Sequence, residues 1–382
     1  MFDLARELAR LGHSVTLFTN YPASVVRRFG CRAVHVVSYL AHGVGFRVLS
    51  ALTPKRWSGS LDEAYVQSFA NWARTNVPKR GPFDVVISMS GVAKELFEVL
   101  PRETVTLLHR GSTHIREQQR LLGAESIRTG RSLEKPTEWM IAREEAEYRL
   151  ATNINVLSPL AYESFVKFRV PEEKLNVLSL GVDVKQFANT PQSRQSRIER
   201  IRSDDRLRLL CVGSFSLRKG AALWDEFLAS TTARHFKIRF VGDIGTDARD
   251  LYRRNRVNAE FIQRLPQQEL PRQYAWADLF ALPSVEDGFA AVITQAIASG
   301  LPVLTTSTCG ASSLINQQVN GWVVPPSSLS HFEDQLADIS TNRDRLATMC
   351  EQLPLDAQQH DWSHMALAVQ EQMNRLKLAK AA

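Results

Sequence analysis

The chain has 382 residues, 44% hydrophobic and 23% charged, which excludes a disordered or fibrous protein and suits two cores rather than one. Its net charge is +7, and residues 1–150 alone carry 21 Lys and Arg against 15 Asp and Glu. No aromatic-basic reading motif accompanies that excess. Nucleic acid is therefore not an expected partner, whereas anionic substrates and an anionic membrane surface are.

Taken in chain order, strand and helix patterns alternate almost throughout, which predicts a parallel sheet in each half. Met1 to Leu11 reads as an amphipathic helix closed by Gly12. Short strands follow at Ser14–Thr19, Ala33–Val37, Asp84–Met89, Val105–Leu108 and Asn153–Leu157, and a charged helix at Glu138–Leu150. Residues 34–52 are apolar-rich, but His35, His42 and Arg47 interrupt them, so no membrane span is expected there. Val25–Phe29 and Leu52–Trp57 combine basic and apolar residues and are the candidate contacts with a membrane surface. Asp183 to Asp205 is polar and reads as an irregular domain linker. Beyond it, strands are expected at Leu207–Val212, Phe236–Val241, Glu260–Ile262, Leu279–Leu282, Val303–Thr305 and Trp322–Val324. A last helix begins at Asp361–Trp362. The four cysteines, Cys31, Cys211, Cys309 and Cys350, stand singly without metal-type spacing, which predicts a reducing, cytoplasmic setting.

The most informative stretch runs from Leu282 to Val303. It reads as a strand end, an acidic turn at Asp287-Gly288, a helix from Ala290 to Ser299, a Gly300 cap and a new strand entered through Leu301-Pro302. Small residues at the helix opening leave backbone N–H groups open to an anion that the helix dipole favours. Gly288, Ala291, Val292 and Gln295 share one face, and Gln295 stands on the order of 10 Å further along. Such a face suits a diphosphate at the helix start and a ribose beyond it. An ordinary strand–helix crossover fits these residues as well.

This segment resembles the donor-site signature of glycosyltransferase family 4, retaining enzymes of the GT-B fold: E-G-F-G-x-x-x-x-E-A-x-A-x-G-x-P-V. Asp287 falls at the first acid with Glu286 just before it, Ala290 at the second Gly, and Gln295 at the second acid. Leu210 to Gly220 is similar to the family's V-G-R/S-x-x-x-x-K-G element, with Ser214 where many members have Arg. Phe261 to Pro266 resembles its F-x-G-x-V element, with Gln263 at the Gly. Ser179 to Asp183 with Phe187 resembles the domain junction, and Gly310 to Pro325 a cleft wall.

The resemblance implies an α/β fold of two Rossmann-like domains facing across a cleft. Residues 1–183 with a return helix, 363–382, form the acceptor side, and 184–362 the donor side. It implies a nucleotide-diphosphate sugar as co-substrate, a glycan or lipid-linked acceptor, and no cofactor or metal. Arg218, Lys219 and the Gly288, Phe289, Ala290 and Ala291 turn would hold the diphosphate, Gln295 the ribose, and Arg264 and Leu265 the base. Asp287 and Glu286 would orient the donor sugar, with His109 near the anomeric centre and His114 and Arg110 as further candidates on the sugar or acceptor side. Family members place a first strand and a Gly-rich loop before the opening helix. Neither precedes Met1 here, and the expectation is a truncated or misassigned start. A non-catalytic nucleotide-sugar binder and an epimerase remain as rivals. Cell-surface polysaccharide assembly, cytoplasmic or peripheral on the inner face of the membrane, is the expected setting.

Overall fold

The computed structural model describes residues 1–43, 45, 58–353 and 360–381. The Leu52–Trp57 candidate contact lies outside them. Twelve strands are found among the described residues. β1 (Thr16–Thr19) and β2 (His35–Ser38) pair in parallel, as do β3 (Val85–Met89), β4 (Val105–Arg110), β5 (Asn153–Val156) and β6 (Leu175–Val177) in that order. The second half is one six-stranded parallel sheet. It holds β7 (Leu207–Val212), β8 (Phe236–Val241), β9 (Glu260–Ile262), β10 (Leu279–Leu282), β11 (Val303–Thr306) and β12 (Gly321–Val324), ordered β12-β11-β10-β7-β8-β9. Two Rossmann-like α/β halves thus face each other across a cleft.

The first half departs from the expected single sheet. β1 and β3 do not pair. A cavity of about 380 Å³ is lined by residues 16–20 from one edge and 85–89 from the other, with Met1 also on its wall. Each ladder ends at this cavity because no described strand supplies the backbone partners in between.

Alternation along β4 sorts its side chains into two cores. Val105 and Leu107 pack with Leu4 and Leu8 of the Phe2–Arg10 helix and with Met365, Val369 and Met373 of the Trp362–Ala381 helix. Leu108 packs on the opposite face with Ile115, Ile141 and Ile154. The largest core belongs to the second half, and Leu122, Leu133 and Leu157 of the first half join it. The two chain connections run side by side: Val182 N donates to His360 O at 2.8 Å, and a Cβ on Gly181 would lie 2.6 Å from Trp362 Cα.

The expected irregular linker is corrected. Pro191–Ser203 is a helix, started by the Thr190 side chain accepting from Ser193 N. Its anchor is Arg197, fully buried, whose guanidinium donates to the carbonyls of Tyr274, Ala277, Ser299 and Gly300. A charge survives burial there because each guanidinium nitrogen meets at least one acceptor.

Candidate active site

The sheet order of the second half places its site. Sequence neighbours β7 and β8 lie on one side, β10 and β11 on the other, so the connections diverge between β7 and β10. Ligands of open parallel sheets bind at such a switch point, beyond the carboxyl ends of the strands. The loops leaving β7 and β10 carry the four charged residues singled out in the sequence.

The loop after β7 tightens into a short 3-10 turn, Leu217–Lys219, and ends on Gly220 at φ +86°. A Cβ at Gly220 would strike the Pro283 carbonyl, so only glycine lets the two loops touch. Val285 N donates to Arg218 O at 2.9 Å and ties them together. The cations then meet the acids. Lys219 Nζ donates to Asp287 Oδ2. Arg218 Nε donates to the Glu286 carbonyl at 3.2 Å, and its guanidinium lies 2.8 Å from Glu286 Oε2 as an ion pair without hydrogen-bond alignment.

Asp287 also accepts from Phe289 N at 3.2 Å and Ala290 N at 2.9 Å through Oδ1. Two of the amides expected to serve the diphosphate are therefore used by the protein's own carboxylate. Burial disfavours the Asp287 anion, but the charge and bond of Lys219, the charge of Arg218 and the Phe289 amide outweigh it. They hold its pKa below the ordinary value. Ala290, at φ +59°, adopts the left-handed conformation at the start of the Ala291–Ala298 helix. One turn on, half-buried Gln295 accepts at Oε1 from the hydroxyl of fully buried Tyr274, at 2.8 Å.

The first half closes against this loop through residues that sequence reasoning missed. Thr113 gives Glu286 Oε1 both its N–H, at 3.1 Å, and its hydroxyl, at 3.0 Å. Ser158 Oγ donates to Gly288 O at 2.8 Å, and Arg218 donates to Ser112 Oγ at 2.9 Å. A Cβ on Gly288 would lie 2.6 Å from Ser112 Cα. The acidic loop and the β4 exit loop thus meet backbone to backbone.

Other expected site residues lie apart from this cluster. His109 is buried on the face of β4 that carries Val105 and Leu107, and its Nε2 accepts from Asn155 Nδ2 at 2.9 Å. Gln372 extends that network to Asn155 and Asn153. Burial pushes the His109 pKa down to about 4. The network holds it within the β-sheet layer, not against the acids. Arg110 is buried against Glu144 and Gln118 and donates at 3.2 Å to the carbonyl of Thr113, the residue that grips Glu286. His114 caps the Ile115–Thr129 helix, its Nδ1 accepting from Arg116 N at 3.3 Å. Its ring turns to Phe165, Phe168 and Tyr148. Arg264 stands at the open rim, 80% exposed and 3.9 Å from Asp243. Leu265 beside it is half-buried against the second-half core. Glu147, on the charged Glu138–Leu150 helix, is fully buried and accepts from the amides of Gly91, Ala93 and Lys94.

Residues 1–186 match the family described as Glycosyltransferase Family 4, and residues 206–342 the family described as Glycosyl transferases group 1. The D-inositol 3-phosphate glycosyltransferase of Kribbella flavida is 25% identical, over 94% of this chain and 86% of its own. A GDP-mannose-dependent alpha-(1-6)-phosphatidylinositol monomannoside mannosyltransferase of Mycobacterium tuberculosis is 28% identical over 47% of this chain and 50% of its own. Among solved structures, sucrose-phosphate synthase of Thermosynechococcus elongatus superposes with a TM-score of 0.68 at 16% identity, covering 98% of this chain and 92% of that one. Anabaena HepE in complex with UDP-glucose superposes at 0.65 and 15% identity, covering 98% and 94%. The chain is a glycosyltransferase of the GT-B fold. It is related to the family 4 and group 1 glycosyltransferases.

Proposed function

We propose that this glycosyltransferase moves a sugar from a nucleotide-diphosphate donor to a glycan, lipid-linked or small-molecule acceptor, with retention of anomeric configuration. The observation that carries this reading is the pairing of two cations with two acids at the switch point: Arg218 with Glu286 and Lys219 with Asp287. A diphosphate entering the cleft competes for the cations, and the acids become free to take donor-sugar hydroxyls. Negative charge building on the leaving phosphate is then met by groups already in place. Gln295, fixed by Tyr274, lies one helical turn on for the ribose, with Arg264 and Leu265 at the base end. His109 is assigned to support of the β4 exit loop, and Thr113 and Ser112 stand nearer the sugar position. Residues 1–183 with 363–382 form the acceptor side, and 184–362 the donor side.

The relatives are named for D-inositol 3-phosphate and for a phosphatidylinositol monomannoside, which supports a small phosphorylated acceptor and a lipid-linked one alike. Among the described residues no helix is long and apolar enough to cross a membrane. The exposed arginines Arg27 and Arg28 beside Phe29 offer a peripheral contact with an anionic leaflet. The test is a hydrolysis panel of UDP-, GDP- and ADP-sugars. Slow release of free sugar from at least one donor, with the anomer retained, is expected. Binding of a donor with no turnover overturns the catalytic reading, and interconversion of the donor sugar points to an epimerase.

A further inference from the structure

A second cavity, about 310 Å³, opens on the first half where the Glu138–Leu150 helix ends beside the turn after the Pro159–Lys167 helix. Three cations line it: Arg149, Arg169 and Lys174. Arg149 and Arg169 are exposed and pair with no acid among the described residues. Lys174 donates to the carbonyls of Tyr148, at 3.4 Å, and Arg149, at 2.8 Å, and likewise has no carboxylate partner. Glu145 is the one acid on the wall, and Arg116 already holds it through two hydrogen bonds. The cavity is therefore left electropositive.

Its floor is His114, 1% exposed. Nδ1 is taken by the Arg116 amide, which fixes the ring proton on Nε2. That N–H has no partner among the described residues. Phe168 stacks on the ring at 4.6 Å and supplies an apolar wall. Arg169 sits at φ +61°, in the left-handed position after a helix that Gly or Asn ordinarily fills. The backbone there does not call for arginine, so the side chain is left to explain its presence.

We propose that this cavity is an anion site separate from the donor cleft and that it takes a phosphate ester. Guanidinium forks suit the several acceptor oxygens of a phosphate better than a single-point anion. The unpartnered His114 N–H adds a neutral donor at the floor, and Phe168 accommodates the attached carbon chain.

The test follows the ring resonances of His114 in histidine-labelled protein, assigned by their loss in His114→Asn. Inorganic phosphate, added at constant ionic strength, is expected to shift them saturably. In Arg149→Ser/Arg169→Asn, whose Asn tolerates the left-handed backbone, the apparent Kd should weaken at least about tenfold, the equivalent of 1.4 kcal/mol, with an unchanged Tm. No saturable shift, or the same affinity in the double variant, overturns the site. Glycerol 3-phosphate and phosphatidylglycerol vesicles separate the two sources of such an ester. Saturation by the former without sedimentation on vesicles assigns a soluble ligand. Sedimentation of the parent chain, but not the double variant, with phosphatidylglycerol and not phosphatidylcholine assigns a headgroup. Failure of both overturns the proposal.

Discussion

Thr113 and Glu286 are joined twice across the cleft, through the threonine amide and its hydroxyl, although 173 residues separate them. Thr113 has no exposed surface, so these bonds compete little with water. Thr113→Val keeps the shape and the amide bond and removes the hydroxyl. Turnover should fall by about tenfold, the scale of one hydrogen bond to a charged group. Steady-state kinetics beside a melting curve checks this, since a pure stability effect would lower Tm and leave kcat unchanged.

Lys219 is the cation committed to Asp287. Removing one donor that meets developing charge typically costs about 100-fold or more in kcat. Lys219→Ala should show that loss in donor hydrolysis and in transfer. Unchanged turnover would refute the role assigned to Lys219.

Two glycines at the closure should answer alanine in opposite ways. A Cβ at Gly288 would meet the Gly111 carbonyl and Ser112 Cα, both backbone, while a Cβ at Gly111 would meet nothing within 4 Å. Gly288→Ala should cost about 1–3 kcal/mol of stability, on the scale of overpacking, and most of the activity. Gly111→Ala should leave both near the parent values. Urea unfolding and donor hydrolysis on the pair decide it. Equal behaviour would mean the halves do not meet at Gly288.

The donor half was largely legible because its chemistry sits in two contiguous loops whose turn residues, Gly220 and Asp287-Gly288, mark them in the sequence. The partners of those loops were not. Thr113 and Ser158 reach Glu286 and Gly288 only because two halves of the chain are brought face to face, and no local pattern encodes that. His109 is a different case. Period-two alternation puts it on the same face of β4 as Val105 and Leu107, whereas the family resemblance put it near the anomeric centre. The Pro191–Ser203 helix was missed because its anchor is an arginine, and an apolar pattern carries no trace of four carbonyls waiting for a guanidinium.

Ala290 holds a backbone conformation that costs a non-glycine residue about 1 kcal/mol. Its side chain is half-buried against the core. Ala290→Gly should relieve the strain and raise stability by about 0.5–1 kcal/mol, reduced by the extra freedom glycine gains in the unfolded chain. The urea midpoint should rise with the slope unchanged. A lower midpoint would mean that the methyl contact outweighs the backbone strain.

His109 ties stability to pH with a definite sign. Burial lowers its folded pKa to about 4, against about 6.5 in an unfolded chain. The unfolded state therefore binds the extra proton first as pH falls, and stability is lost from about pH 6.5 down to about 4. The full shift corresponds to about 3 kcal/mol, with no contribution from this group above about pH 7. Carboxylates contribute slopes of their own, so the useful quantity is a difference. Urea unfolding of the parent chain and of His109→Gln, at pH 7 and at pH 4.5, should show a smaller loss in the variant, which has no ring to protonate. Parallel losses in the two proteins would mean that the proton reaches His109 in the folded state as readily as in the unfolded one, and burial could then not be what holds the ring neutral.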